Sequence, residues 1–188
     1  MLDGAIEAFR DRRSESSFVR ACGLTLTKAR NTALGLYSLS LDALGQEAGA
    51  LLRPLIEQYE LLVFLRQDPS RVQLILDDKL PSAGERAKAI HGEFKDLRSY
   101  LSENSSHFGF TYESLKHLLP GHEEGWRVIQ PFSEHALKVN LGVLFGVLTR
   151  LLDEASNCLK EAGVAEYEDL ATVASIYREK GLTVFRVP

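Results

Sequence analysis

The chain has 188 residues, 45% of them hydrophobic and 26% charged, and a formal net charge of −4. That is enough to bury a full core as one domain, and the acidic balance offers no electrostatic footprint for nucleic acid, which is disfavoured as a partner. Cys22 and Cys158 stand far apart without ligand-like neighbours, which suggests neither a disulfide framework nor a zinc knuckle and makes both read as small buried hydrophobes.

The longest uncharged apolar-rich stretches, 31–41 and 139–149, are too short to cross a bilayer, so no membrane is expected. The first residues lack the basic start and apolar run of a secretory signal, and a cytoplasmic location is the default expectation. Basic residues Arg10, Arg12, Arg13, Arg20, Lys28 and Arg30 alternate with Asp3, Glu7, Asp11 and Glu15, which describes a solvated amphipathic helix more than a phosphate-binding patch.

A first helix is expected over 2–19. A second starts near Thr27, where Leu34, Tyr37, Leu41, Leu44 and Ala48 recur at three and four, with Gly45 or Gly49 ending or bending it. A third ends at Asp68-Pro69, because the residue before proline is pushed out of α conformation. A short fourth covers 70–80. Beyond Pro81, Ser82 with Glu85 forms a capping-box signature for a fifth helix striped by Ala87, Ile90, Phe94, Leu97 and Leu101.

The period is lost over 104–110, and Thr111 can cap a short helix reaching Leu119. Ser133 caps a long helix whose Leu137, Leu141, Leu144, Leu148, Leu151, Ala155 and Leu159 form the strongest apolar stripe in the chain, closed by Gly163. A final helix over 166–180 leads to an extended tail, 182–188. The fold class is therefore all-α: a bundle of four or more antiparallel helices with short accessory helices, spanning 1–188, with 1–25 and 164–188 peripheral.

The third helix carries the most informative pattern. Arg53, Glu57 and Glu60 lie four and then three apart, so they share one face of a helix whose other faces are almost wholly apolar. Ionisable groups on a buried helix are rare unless paired or used. Pro54 either bends the chain near Arg53 or sits in the first turn of a helix beginning there; under both readings Arg53 and Glu57 can pair.

Further along, Arg98, Ser99, Tyr100, Ser102, Glu103, Asn104 and His107 gather a cation, hydroxyls, a carboxylate and an imidazole, which suit an acid–base or anion site and equally a polar helix end. His107, His117, His122 and His135 lie near Glu123, Glu124 and Glu134, but no Glu-x-x-His, His-Glu-x-x-His or Cys-x-x-Cys pattern occurs, so neither metal nor cofactor is expected. Phosphate loops and a nucleophile elbow are likewise missing. Arg86 and His91 are the parts of a metal-free RNA-cleaving pair, or two surface residues of the fifth helix.

The run Leu51-Leu52-Arg53-x-x-x-Glu57, with Tyr100-Leu101-Ser102 and His107 beyond it, resembles a bacterial all-helical family of unknown function, itself loosely HEPN-like. The resemblance implies that Arg53, Glu57, Tyr100, Ser102 and His107 converge in one polar pocket between the third and fifth helices. HEPN ribonucleases carry an Arg-x4–6-His motif late in the domain; Arg98 and His107 are too far apart for it and Arg86/His91 lies early. The expectation is a helical binding or regulatory module, dimeric, with a small polar ligand at an interior arginine–glutamate site. The alternative is a metal-independent ribonuclease or toxin using His107 or His91.

Overall fold

The computed structural model describes residues 2–11, 16–104, 112–119, 125–165 and 167–184, and of 104, 113, 114, 167 and 182 the backbone alone. They form α1 (Leu2–Asp11), α2 (Ser17–Leu41), α3 (Gly45–Gln67), a 3-10 turn (Pro69–Arg71), α4 (Val72–Leu76), α5 (Ala83–Ala89), α6 (Lys95–Asn104), α7 (Tyr112–Leu115), α8 (Glu134–Glu161) and α9 (Tyr167–Val184). No strand occurs among the described residues, and the fold is all-α.

α2, α3 and α8 pack against one another and enclose the centre, where Leu26, Leu36, Leu55, Ile56, Leu62, Leu65, Leu151, Leu152 and Leu159 are wholly buried. α1 lies on α2 and α8 and adds Leu2, Ala5 and Phe9 to that core; α9 lies on α8 and adds Leu170 and Ala174. Gly23 permits the first contact, since a Cβ there would stand 2.9 Å from Phe9 Cβ. Cys22 and Cys158 are free and buried, and the Cys22 thiol beside it, together with burial, pushes the Cys158 thiol well above its ordinary range.

Several expected boundaries are corrected. The helix expected over 2–19 is two helices: Ser16 caps α2 by accepting the Val19 N–H at 3.1 Å. The helix expected over 27–48 stops at Leu41, and the one expected over 82–101 is divided by the turn at 90–94. The device at both breaks is the same. Ala43 (φ 63°) and His91 (φ 52°) adopt the left-handed conformation, and the next N–H reaches back five residues, Leu44 to the Leu39 carbonyl at 2.9 Å and Gly92 to the Ala87 carbonyl at 2.9 Å. This is the usual glycine helix stop, made without glycine, at a local cost of about 1–2 kcal/mol.

Asp78 ends α4 the same way, so the fourth helix is a 3-10 turn and five α-helical residues, shorter than 70–80. Gly163 (φ 71°) closes α8 as expected, and Ser133 caps it. α7 stops at Leu115. The tail expected to be extended from 182 is helical through Val184.

α8 contains an 18-residue window of mean hydropathy 1.3, one-third of it buried within the fold, so by length and composition it meets the measure of a membrane span that shorter stretches did not. A core helix meets the same measure. α8 packs on α2, α3 and α9, and its Glu154 is buried in an ion pair with Arg66 of α3.

Candidate functional site

The charged stripe of α3 is divided between two partnerships. Helix α3 begins eight residues before Arg53, so Pro54 is interior, removing the donor that the Ala50 carbonyl would accept. Arg53 Nε donates to Glu57 Oε1 at 2.9 Å along the helix, with the side chains 30% and 25% exposed. Glu60, only 1% exposed, instead accepts from Arg98 Nη1 of α6 at 2.8 Å, and the same nitrogen also reaches the Ala83 carbonyl at 3.2 Å.

Arg86 of α5 stands near both acids. Its side chain is buried, its Nη1 donates to the Pro81 carbonyl at 2.6 Å, and its Nε finds no partner among the described residues. Burial pushes the Arg86 guanidinium down while Glu57 and Glu60 hold it up. The balance for Glu60 is similar: burial pushes its carboxyl above the ordinary range, against the downward pull of Arg98.

Among the described residues Glu60 Oε1 lacks a hydrogen-bond partner, and it faces the 90–92 turn so closely that a Cβ on Gly92 would stand 2.8 Å away. The turn therefore lies directly against the acid's unpaired oxygen. Its next residues are fastened too. Glu93 bonds Tyr59 of α3 and accepts from Arg150 Nε of α8 at 2.6 Å; Phe94 meets the Tyr59 ring edge-on at 5.7 Å, under the Arg150 guanidinium at 5.3 Å. Burial, then Glu93, push the Tyr59 hydroxyl far above its ordinary range.

The other residues expected to join Arg53 and Glu57 lie elsewhere. Ser102 donates to the Arg98 carbonyl of its own helix at 2.7 Å. Tyr100 is exposed and lines a separate cavity, and His107 lies outside the described residues, as does His122. Arg86 and His91 do not share a helix face: Arg86 is buried, and His91 is exposed in the left-handed turn after α5 ends. No group of three or more His, Cys, Asp or Glu suited to a metal occurs among the described residues.

The cavity beside Tyr100 holds about 420 Å³ and lies where the end of α2, the start of α3, α6 and the start of α8 meet. Leu52, Leu97, Leu101, Leu137 and Val143 supply apolar wall, and Ser40, Tyr100, Lys116, His117, His135 and Asn140 supply polar groups. Its floor depends on a glycine. Gly45 packs so that a Cβ there would be 3.1 Å from Ala136 Cβ, and its carbonyl accepts from Asn140 Nδ2 at 2.8 Å, binding the start of α3 to that of α8. The Ser40 hydroxyl (residue 2% exposed) and His117 Nδ1 are buried without partners among the described residues.

Ser40 and Asn140 carried no signal in the sequence, since single polar residues in apolar helices recur throughout it. His117 and His135 stood out only as members of a histidine-rich stretch, and nothing in their spacing pointed to Ser40.

No protein-family model, curated protein or solved structure matches the chain.

Proposed function

We propose that the protein is a helical binding module whose ligand site is the cavity between the starts of α3 and α8. The Glu60–Arg98 pair is the interior lock that holds the α6 wall of that cavity against α3. The observation that carries this reading is the roughly 420 Å³ space itself, apolar for most of its lining, with a buried hydroxyl and imidazole nitrogen of its lining residues that have no partner among the described residues. Buried polar atoms without partners are destabilising, and a site that tolerates them gains when a ligand or ordered water satisfies them. A concave, mainly apolar space with a few convergent polar groups is the usual form of a small-molecule site.

The interior acids take no part in chemistry under this reading. Glu60 lies against the 90–92 turn, and Arg53 is paired along its own helix. The ribonuclease alternative requires a histidine beside a cation, and Arg86 is buried with its Nη1 on the Pro81 carbonyl while His91 is exposed in the turn after α5.

Thermal unfolding of the full chain with octanol, octanoate and octyltrimethylammonium tests the reading, because a ligand that binds only the native state raises the midpoint. At least one of the series is expected to raise it, with the increment lost in Ser40→Phe, which fills the cavity from α2. No shift with any of them overturns the proposal. Cleavage of RNA by the native chain in EDTA would replace it with the ribonuclease alternative.

A further inference from the structure

We propose that residues 83–104, which are α5, the turn after it and α6, form a gate that swings off α3 as one body and opens the cavity beside Tyr100. The inference rests on the binding-module reading and names how that site is reached. Leu97, Tyr100 and Leu101 are the α6 part of the cavity wall, so lifting α6 from α3 uncovers the space.

Two hydrogen bonds make the arm a single body. Arg98 of α6 donates through Nη1 to the Ala83 carbonyl of α5 at 3.2 Å, and Arg86 of α5 donates to the Pro81 carbonyl at 2.6 Å, just before the arm begins. The chain leading into it has no helix over 79–82 and follows Asp78, which ends α4 in the left-handed conformation. A short non-helical connection of this kind is where a rigid pair of helices can turn about its attachment.

The arm is held down mainly by polar contacts. Among its described residues only Arg86, Ala87 and Leu101 are buried, whereas α2, α3 and α8 supply the wholly buried leucines of the core. α5 and α6 pack on α3, and their fastenings are Arg98 to Glu60 at 2.8 Å, Glu93 to Arg150 of α8 at 2.6 Å, and the Phe94 ring edge-on to Tyr59. Buried apolar surface sets much of the free energy of a local opening, so an arm with one large apolar side chain fully buried separates before the core does.

The closed interface also carries a penalty that opening relieves. Glu60 Oε1 and Arg86 Nε are buried without hydrogen-bond partners among the described residues, and Glu60 Oε1 lies against Gly92 of the arm. Buried polar atoms left unpaired are destabilising, and water reaches both once the arm lifts. Arg98 loses Glu60 in that step but keeps the Ala83 carbonyl, which travels with it.

Amide hydrogen exchange of the full chain, followed residue by residue at rising sub-denaturing urea, tests the inference. The slowest amides of α5 and α6 are expected to converge on one common opening, at least about tenfold more frequent than the opening that exposes the slowest amides of α3 and α8. Glu93→Gln removes one fastening and is expected to speed exchange across both α5 and α6 by one shared factor of about two to five, the effect of an exposed ion pair. Gly181→Ala, which strains α9 against Phe145 of α8, is expected to speed the slowest core amides and leave the opening of the arm unchanged. An octyl probe that raises the unfolding midpoint should make the opening of the arm rarer, because the lifted arm no longer walls the cavity. A response to Glu93→Gln confined to amides next to residue 93, arm exchange that follows the core in Gly181→Ala, or an arm indifferent to a bound probe overturns the gate and leaves the binding-module reading standing. Failure of every probe to raise the midpoint removes both.

Discussion

Replacing Arg98 by alanine leaves Glu60 buried with neither carboxylate oxygen paired. Glu60 is 1% exposed, and among the described residues its Oε1 lacks a partner and Arg98 supplies its only side-chain counter-charge at hydrogen-bonding distance. Breaking a buried pair on one side costs about 3–5 kcal/mol. Arg98 itself remains 17% exposed, which favours the lower end. An independent ceiling comes from protonation: an abandoned carboxylate of ordinary pKa 4.5 can take up a proton, and doing so at pH 7 costs about 3.4 kcal/mol at 1.36 kcal/mol per unit. Arg98→Ala is therefore expected to lose about 3 kcal/mol at pH 7. The loss should shrink toward about 1 kcal/mol near pH 4.5, where the proton is available at little cost. Urea unfolding of native and variant chains at several pH values measures it, and adding Glu60→Gln should recover part of the loss. A difference below about 1 kcal/mol at pH 7, or one independent of pH, refutes the reasoning.

The native pair predicts a pH dependence of its own. Burial holds the folded Glu60 carboxyl above its ordinary value, so its contribution is fullest below the unfolded pKa and is lost as pH rises through the raised folded one; the stability of the native chain relative to Glu60→Gln should fall from pH 4.5 toward 7, and the opposite slope in denaturant unfolding would contradict it. Ala43 holds φ 63° without hydrogen-bonding reward from its side chain, so Ala43→Gly should stabilise by about 1 kcal/mol, read as a midpoint higher by about 2–4 °C. A Cβ at Gly181 would overlap the Phe145 ring where α9 crosses α8. Gly181→Ala should cost about 1–3 kcal/mol in urea unfolding, despite the better helix propensity of alanine.

The helices were legible because their apolar periods and side-chain caps are local. Ser82 with Glu85, Asp68 before Pro69, Ser133 and Gly163 act where the pattern of residue types says they should. The breaks at 43 and 91 were hidden because the left-handed position is filled by alanine and histidine, and neither the apolar stripe nor the composition changes across it. Tertiary contacts made beyond each stop are not written locally: Gly45 packs against Ala136, and the 90–92 turn lies against Glu60.

The stripe shows a similar division. Spacing alone put Arg53, Glu57 and Glu60 on one face and allowed the pair at 53 and 57. It could not say that Glu60 turns to Arg98, thirty-eight residues away, because several cations of α5 and α6 offer equivalent charge. Tyr100 is on the same helix as Arg98, but its side chain leaves toward α8 and the cavity. Ser40 and Asn140 become notable only when four separate elements are brought together around them.

Backbone amide shifts of the isotope-labelled full chain during titration with whichever octyl probe raises the unfolding midpoint test the central claim most directly. The account predicts saturable changes gathered at Ser40, Gly45, Gln46, Tyr100, His117 and Asn140, with Arg53 and Glu57 unmoved. Changes centred on Arg53 and Glu57, or spread without focus over the exposed faces of the helices, would contradict it.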